Sequence, residues 1–116
     1  MTSNGDRVVE RTLGMCGGEG YTSLENLLGE KELDNKCKMF AKVTIEPGAS
    51  VGYHEHHGDT ETYYFISGEG LYNDNGVEMP VKPGDVTYTG DGFGHGLKNT
   101  GNQDLVFVAL ILYSDK

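Results

Sequence analysis

PGASVGYHEHHGDTETYYFISGEG, residues 47–70, holds the densest set of metal-capable side chains in the chain, and its spacing decides how the fold is read. On a β-strand alternate side chains share a face, so His54 and His56 project together and their imidazoles can converge on one ion. Glu61 opens the next run after a short turn and shares its parity with Tyr63 and Phe65, which predicts a carboxylate on the interior side beside two aromatic rings. His57, adjacent to His56, points the other way and is expected on the outer surface or at the mouth. His95, in TGDGFGHGLKN at residues 89–99, joins this group only if the sheet closes on itself.

On both sides of this stretch the pattern is strand after strand, at residues 37–46, 52–57, 61–67, 70–73, 77–81, 85–89, 95–99 and 104–113. The 18 glycines are scattered between these runs as turn punctuation. Asn75-Gly76 reads as a hairpin turn and Pro83-Gly84 as another turn. Many short strands with turn signals predict an all-β sandwich or closed barrel. In the first long run Cys37, Met39, Ala41, Val43 and Ile45 fall on one face, taken as the interior, and Lys38, Phe40, Lys42 and Thr44 on the other. The same alternation offers Val86 and Tyr88 as inward residues further on.

One stretch looks helical: residues 22–28, where Thr22 and Glu25 have capping-box spacing and Gly29 can close the end. Residues 1–36 are therefore expected to form an N-terminal arm with one short helical turn, packed on the barrel or on a partner, and residues 37–116 the barrel. The last run, DLVFVALILY, lacks alternation, so both of its faces need apolar cover. One face lines the interior. The other, either Leu105, Phe107, Ala109 and Ile111 or Val106, Val108, Leu110 and Leu112, predicts a homodimer, the alternative being cover by the N-terminal arm of the same chain.

A length of 116 residues suits one domain with one hydrophobic core. Eighteen acidic against nine basic residues, a net charge of −9, argue against nucleic acid and anionic lipid as partners. No run approaches the roughly 20 apolar residues of a membrane helix and no leader pattern opens the chain, so no membrane partner and a cytoplasmic location are expected. Cys16 and Cys37 lack CxxC spacing and are read as reduced thiols without a catalytic role.

Three neutral imidazoles and a carboxylate with no thiolate suit a first-row divalent ion rather than a cysteine-rich structural zinc. Iron(II) or manganese(II) leads, with nickel, cobalt and zinc also accommodated. In a six-coordinate ion four protein ligands leave two positions for a substrate oxygen, water or dioxygen.

Gly48, His54, His56, Glu61 and Gly68, separated by five, one, four and six residues, resemble the complete first motif of the cupin family. Gly84, Gly92, His95 and Asn99 resemble its second motif, in which Gly90 stands where the family carries proline. The resemblance covers roughly residues 37–113. It implies a double-stranded β-helix, or jelly-roll barrel, with the metal near its mouth, held by His54, His56, Glu61 and His95. The GGEG lead-in at residues 17–20 also resembles small oxalate decarboxylase-like cupins.

The interior parity assembles a substrate pocket from Met39, Tyr63, Phe65 and Tyr88, mostly apolar with a few phenols. Both arginines, Arg7 and Arg11, precede the barrel, so no cation obviously lines it. The expectation is an enzyme of the decarboxylase, oxygenase or isomerase class acting on a small oxygen-bearing acid, with Tyr63, Tyr88 and Asp91 as candidate catalytic groups. The alternative is a non-catalytic cupin that captures a sugar or organic acid, as in a sensor.

Overall fold

The structure, a computed structural model, describes residues 1–5 and 7–114. Ten strands follow in order: β1 (Val9–Leu13), β2 (Tyr21–Asn26), β3 (Cys37–Ile45), β4 (Ser50–Glu55), β5 (Asp59–Ser67), β6 (Gly70–Asp74), β7 (Val77–Val81), β8 (Val86–Thr89), β9 (Gly94–Asn99) and β10 (Leu105–Tyr113). One 3-10 turn (Met15–Gly17) and one helical turn, α1 (Glu30–Leu33), interrupt them. Six strands make an antiparallel sheet in the order β1-β2-β3-β10-β5-β8, and four make a second in the order β4-β9-β6-β7. The two sheets enclose the core, which is the expected double-stranded β-helix. Among the described residues no helix is long and apolar enough to cross a membrane.

Alternation sets the facing. Ala41, Val43 and Ile45 of β3, Tyr63 and Phe65 of β5, and Leu105, Phe107 and Ala109 of β10 are buried between the sheets with Val51, Tyr72, Val81 and Leu97 from the facing sheet. In β10 it is therefore the odd set that lines the interior, while Val106, Val108, Leu110 and Leu112 face outward. The Asn75-Gly76 turn joins β6 to β7 with both residues at positive φ, 51° and 99°.

Three expectations are corrected. Residues 22–28 are not helical: Tyr21–Asn26 is β2, in register with β3 from Thr22 opposite Ile45 to Asn26 opposite Ala41. A seven-residue helix standing alone is marginal, whereas the strand satisfies its backbone along β3 and β1 and buries Thr22. Gly29 does not close a helix; it precedes α1, and its N–H donates to the Glu32 carboxylate. The N-terminal arm does not lie over the outer face of β10, because β1 and β2 extend the same sheet sideways beyond β3.

The third correction concerns β8. Val86 and Tyr88 are both 62% exposed, and Thr87 and Thr89 point inward instead. Cross-strand partners share a face, and β8 sets Thr89 opposite Glu61 and Thr87 opposite Tyr63. With those two inward, Tyr88 must lie outward beside Thr62, and it does not line the pocket.

Candidate metal centre

His54 projects from β4, Glu61 from β5 and His95 from β9, while His56 follows the end of β4. His56 still holds strand-like pairing, since its N–H donates to the Phe93 carbonyl (2.9 Å) and its carbonyl accepts from Gly92 N–H (2.6 Å). Closure of the barrel sets His54 directly opposite His95 across β4 and β9. One ligand atom from each of His54, His56, Glu61 and His95 lies within 4.8 Å of all the others.

Each imidazole is gripped from its far side. His54 Nδ1–H donates to the Gly52 carbonyl (2.8 Å), and His56 Nδ1–H to the Asp59 carboxylate (2.7 Å). Carbonyls and carboxylates only accept, so these bonds place the proton on Nδ1 and leave the Nε2 lone pair facing inward. His95 Nδ1 sits 2.8 Å from both the Tyr72 and Thr89 hydroxyls. Thr89 therefore belongs to the centre although sequence reading overlooked it; the β5 to β8 register is the signal that locates it.

The ligand atoms are spaced for one ion. His95 Nε2 is 3.1 Å from the Nε2 of both His54 and His56, and Glu61 Oε1 is 2.9 Å from His95 Nε2 and 3.0 Å from His56 Nε2. A bond length of about 2.1 Å puts ligands at right angles about 3.0 Å apart and tetrahedral ligands about 3.4 Å apart. These four edges match right angles, as in a six-coordinate ion, while the fifth, His54 Nε2 to Glu61 Oε1 at 3.8 Å, is wider. The donor set, three imidazoles and one carboxylate, fits a divalent first-row metal.

Burial alone would raise the Glu61 carboxyl, but the His54, His56 and His95 imidazoles that face it outweigh this and hold the group well below the usual carboxylate range. Glu61 and then Asp59 raise His56, whereas burial lowers His95. Burial also pushes the Tyr63 phenol well up, so it stays protonated.

Beside the cluster lies a cavity of about 260 Å³ lined by Met15, Cys16, Leu24, Met39, Val43, Val51, Tyr63, Phe107, Ala109 and Ile111 with His54, His56 and Glu61. Of the four expected pocket residues, Met39 and Tyr63 line this cavity. Phe65 is fully buried in the core beneath, with its ring 6.1 Å from that of Tyr63, and does not reach this cavity. Asp91 is exposed, its carboxylate taken up by Gly58 N–H and the Ser114 hydroxyl, away from the cavity. His57 is exposed as expected, beside Glu55.

Met15, Cys16 and Leu24 are cavity residues that sequence reading missed. The 3-10 turn carries the first two against β4, where Gly18 and Gly52 allow the backbones to touch: a methyl group on Gly52 would overlap the Cys16 carbonyl oxygen. The glycines at these positions are the only sequence signal of that approach.

Residues 41–111 match the family described as the cupin domain. The chain is 45% identical over 103 residues, 89% of its length and 85% of the relative's, to the oxalate-binding protein of Thermotoga maritima. It is 42% identical over 60 residues to the (S)-ureidoglycine aminohydrolase of Escherichia coli, spanning 23% of that protein. Among solved structures it resembles one described as a predicted oxalate decarboxylase from Thermotoga maritima, with a TM-score of 0.92 and 41% identity over 97% of this chain and 98% of that one.

Proposed function

The chain belongs to the cupin family, and on that premise we propose that it is a mononuclear divalent-metal protein acting on a small oxygen-bearing acid, with His54, His56, Glu61 and His95 as the ligands of the ion. The observation that carries this reading is the convergence of three Nε2 atoms and one carboxylate oxygen, four of their edges between 2.9 and 3.1 Å, with each imidazole locked by a partner at Nδ1. Manganese(II) or iron(II) suits the set best; nickel, cobalt and zinc are accommodated. When bound, the ion supplies Lewis acidity, and with iron or manganese redox chemistry, at positions the protein leaves unfilled.

The protein's own groups do the rest. Glu61, kept ionised by the histidines, offsets one of the two positive charges. Tyr63 Oη, protonated and 3.5 Å from His95 Nε2, is placed to donate a hydrogen bond or a proton to the bound acid. The oxalate-binding relative supports the class of ligand, a carboxylate with a second oxygen able to chelate.

Capture without turnover is the second reading. Of the three candidate catalytic groups Tyr88 and Asp91 lie outside the cavity, which leaves Tyr63 alone with a tightly held proton. Metal-loaded protein offered a panel of small oxygenated acids separates the two: oxygen consumption or carbon dioxide release supports the enzyme, and a ligand-dependent rise in Tm with neither supports the binder. No response of either kind would contradict both.

We also propose a homodimer through the outer face of the six-stranded sheet. Val106, Val108, Leu110 and Leu112 of β10 lie beside Tyr64 and Ile66 of β5 and Val86 and Tyr88 of β8, and none of the outward residues of these three strands is charged. In a chain of net charge −9 this is the face that two copies can share without bringing acidic groups together.

A further inference from the structure

The cavity wall and the charge at its floor together restrict what the centre accepts. At about 260 Å³ the cavity holds roughly nine waters, each taking about 30 Å³ of liquid volume. A two-carbon dicarboxylate, roughly four waters in size, would leave more than half of it bounded by hydrocarbon. Among the described residues no lysine or arginine lines it. Arg11 is engaged with Glu46, Arg7 and Lys42 with Glu25, and Lys38 with the side of Asp59 remote from His56.

Charge balance points the same way. A divalent ion with three neutral imidazoles and ionised Glu61 carries a net charge of one, which a single carboxylate neutralises. A dianion would leave an uncompensated negative charge against an apolar wall, a strongly unfavourable burial. Met15, Leu24, Met39 and Ile111 are only half-buried and line the cavity with flexible hydrocarbon. A ligand tail would complete their burial.

We propose that the ligand of this centre is a monocarboxylate with an oxygen on its second carbon, a 2-oxo or 2-hydroxy acid, bearing an apolar chain of about three to five carbons. The two oxygens face the cluster and the chain packs among Met15, Leu24, Met39 and Ile111. This rests on the reading of the cluster as a metal centre.

The test is a titration of manganese-loaded protein with pyruvate, 2-oxobutanoate, 2-oxopentanoate, 2-oxohexanoate and oxalate, with manganese uptake measured beforehand by electron paramagnetic resonance. Affinity is expected to rise about four-fold with each added methylene, the value of burying one such group. The six-carbon acid is expected to bind more tightly than oxalate. In Ile111→Thr the chain-length slope should flatten while manganese uptake stays unchanged; if that variant does not fold, the slope in the natural protein decides alone. Oxalate as the tightest ligand, or affinity independent of chain length, would overturn the proposal. Protein that takes up no manganese contradicts the metal reading instead, and the chain preference is then read from the same acids on the same protein: a four-fold slope supports it and a flat one overturns it.

Discussion

Asp59 is buried, accepts from His56 Nδ1 at 2.7 Å, and its other oxygen meets Lys38 Nζ at 3.3 Å. It fixes both the ring plane of His56 and the nitrogen that keeps its lone pair, so in the proposed metal centre it is a positioning residue rather than a ligand. Asp59→Asn keeps the size and removes the charge; metal affinity should fall by about 10- to 100-fold, measured by competition with a chelator. Affinity within two-fold of the natural protein would remove Asp59 from the centre. Protons act at the same atoms. Without metal, His56 is raised, so its protonated form stabilises the fold below the unfolded imidazole value of about 6.5 and that contribution is lost as pH rises through its folded value. Metal needs the Nε2 lone pair, so its effect has the opposite sign. The rise in Tm on adding manganese should be large at pH 8 and fade towards pH 5, with the histidines and not the strongly acidic Glu61 setting the range. A rise that does not change across that range would count against imidazole ligation.

At the scale of elements, the approach of the Met15–Gly17 turn to β4 shapes the cavity, and it depends on glycines facing each other. Gly52→Ala would drive a methyl group into the Cys16 carbonyl, and Gly18 meets the Ser50 carbonyl in the same way. Gly52→Ala should destabilise the protein on the order of 1–3 kcal/mol, read by denaturant unfolding, and widen the cavity rim. A neutral result would mean that the turn is not docked there. This element also marks where sequence reading stops. The clustering of His54, His56, Glu61 and His95 is legible because strand parity and two spaced motifs specify it independently. The facing of β3 and β5 is legible from clean alternation. Tyr88 is misplaced because β8 is four residues long and apolar on its outward side, so alternation points the wrong way and only pairing with β5 corrects it. Residues 22–28 mislead for a related reason: Thr22 and Glu25 have helix-capping spacing, but the choice between helix and strand is made by the open edge of β3, a contact between segments distant in sequence.

For the whole molecule, the uncharged outer face of β10, β5 and β8 and the net charge of −9 set the expected assembly. Val108→Lys places a cation at the middle of that face; light scattering should give a dimer for the natural chain and a monomer for the variant, with metal content unchanged. A monomeric natural chain would refute the dimer and leave the centre untouched, since every residue of the cluster comes from one chain. The central claim is the centre itself: one ion per chain, six-coordinate, held by three imidazoles and one carboxylate. X-ray absorption at the metal edge of manganese-loaded protein tests it most directly. The expected result is one manganese per chain with six nitrogen or oxygen neighbours and outer-shell scattering from three imidazoles. No bound metal, or a metal whose shell contains fewer than three imidazoles, would contradict it.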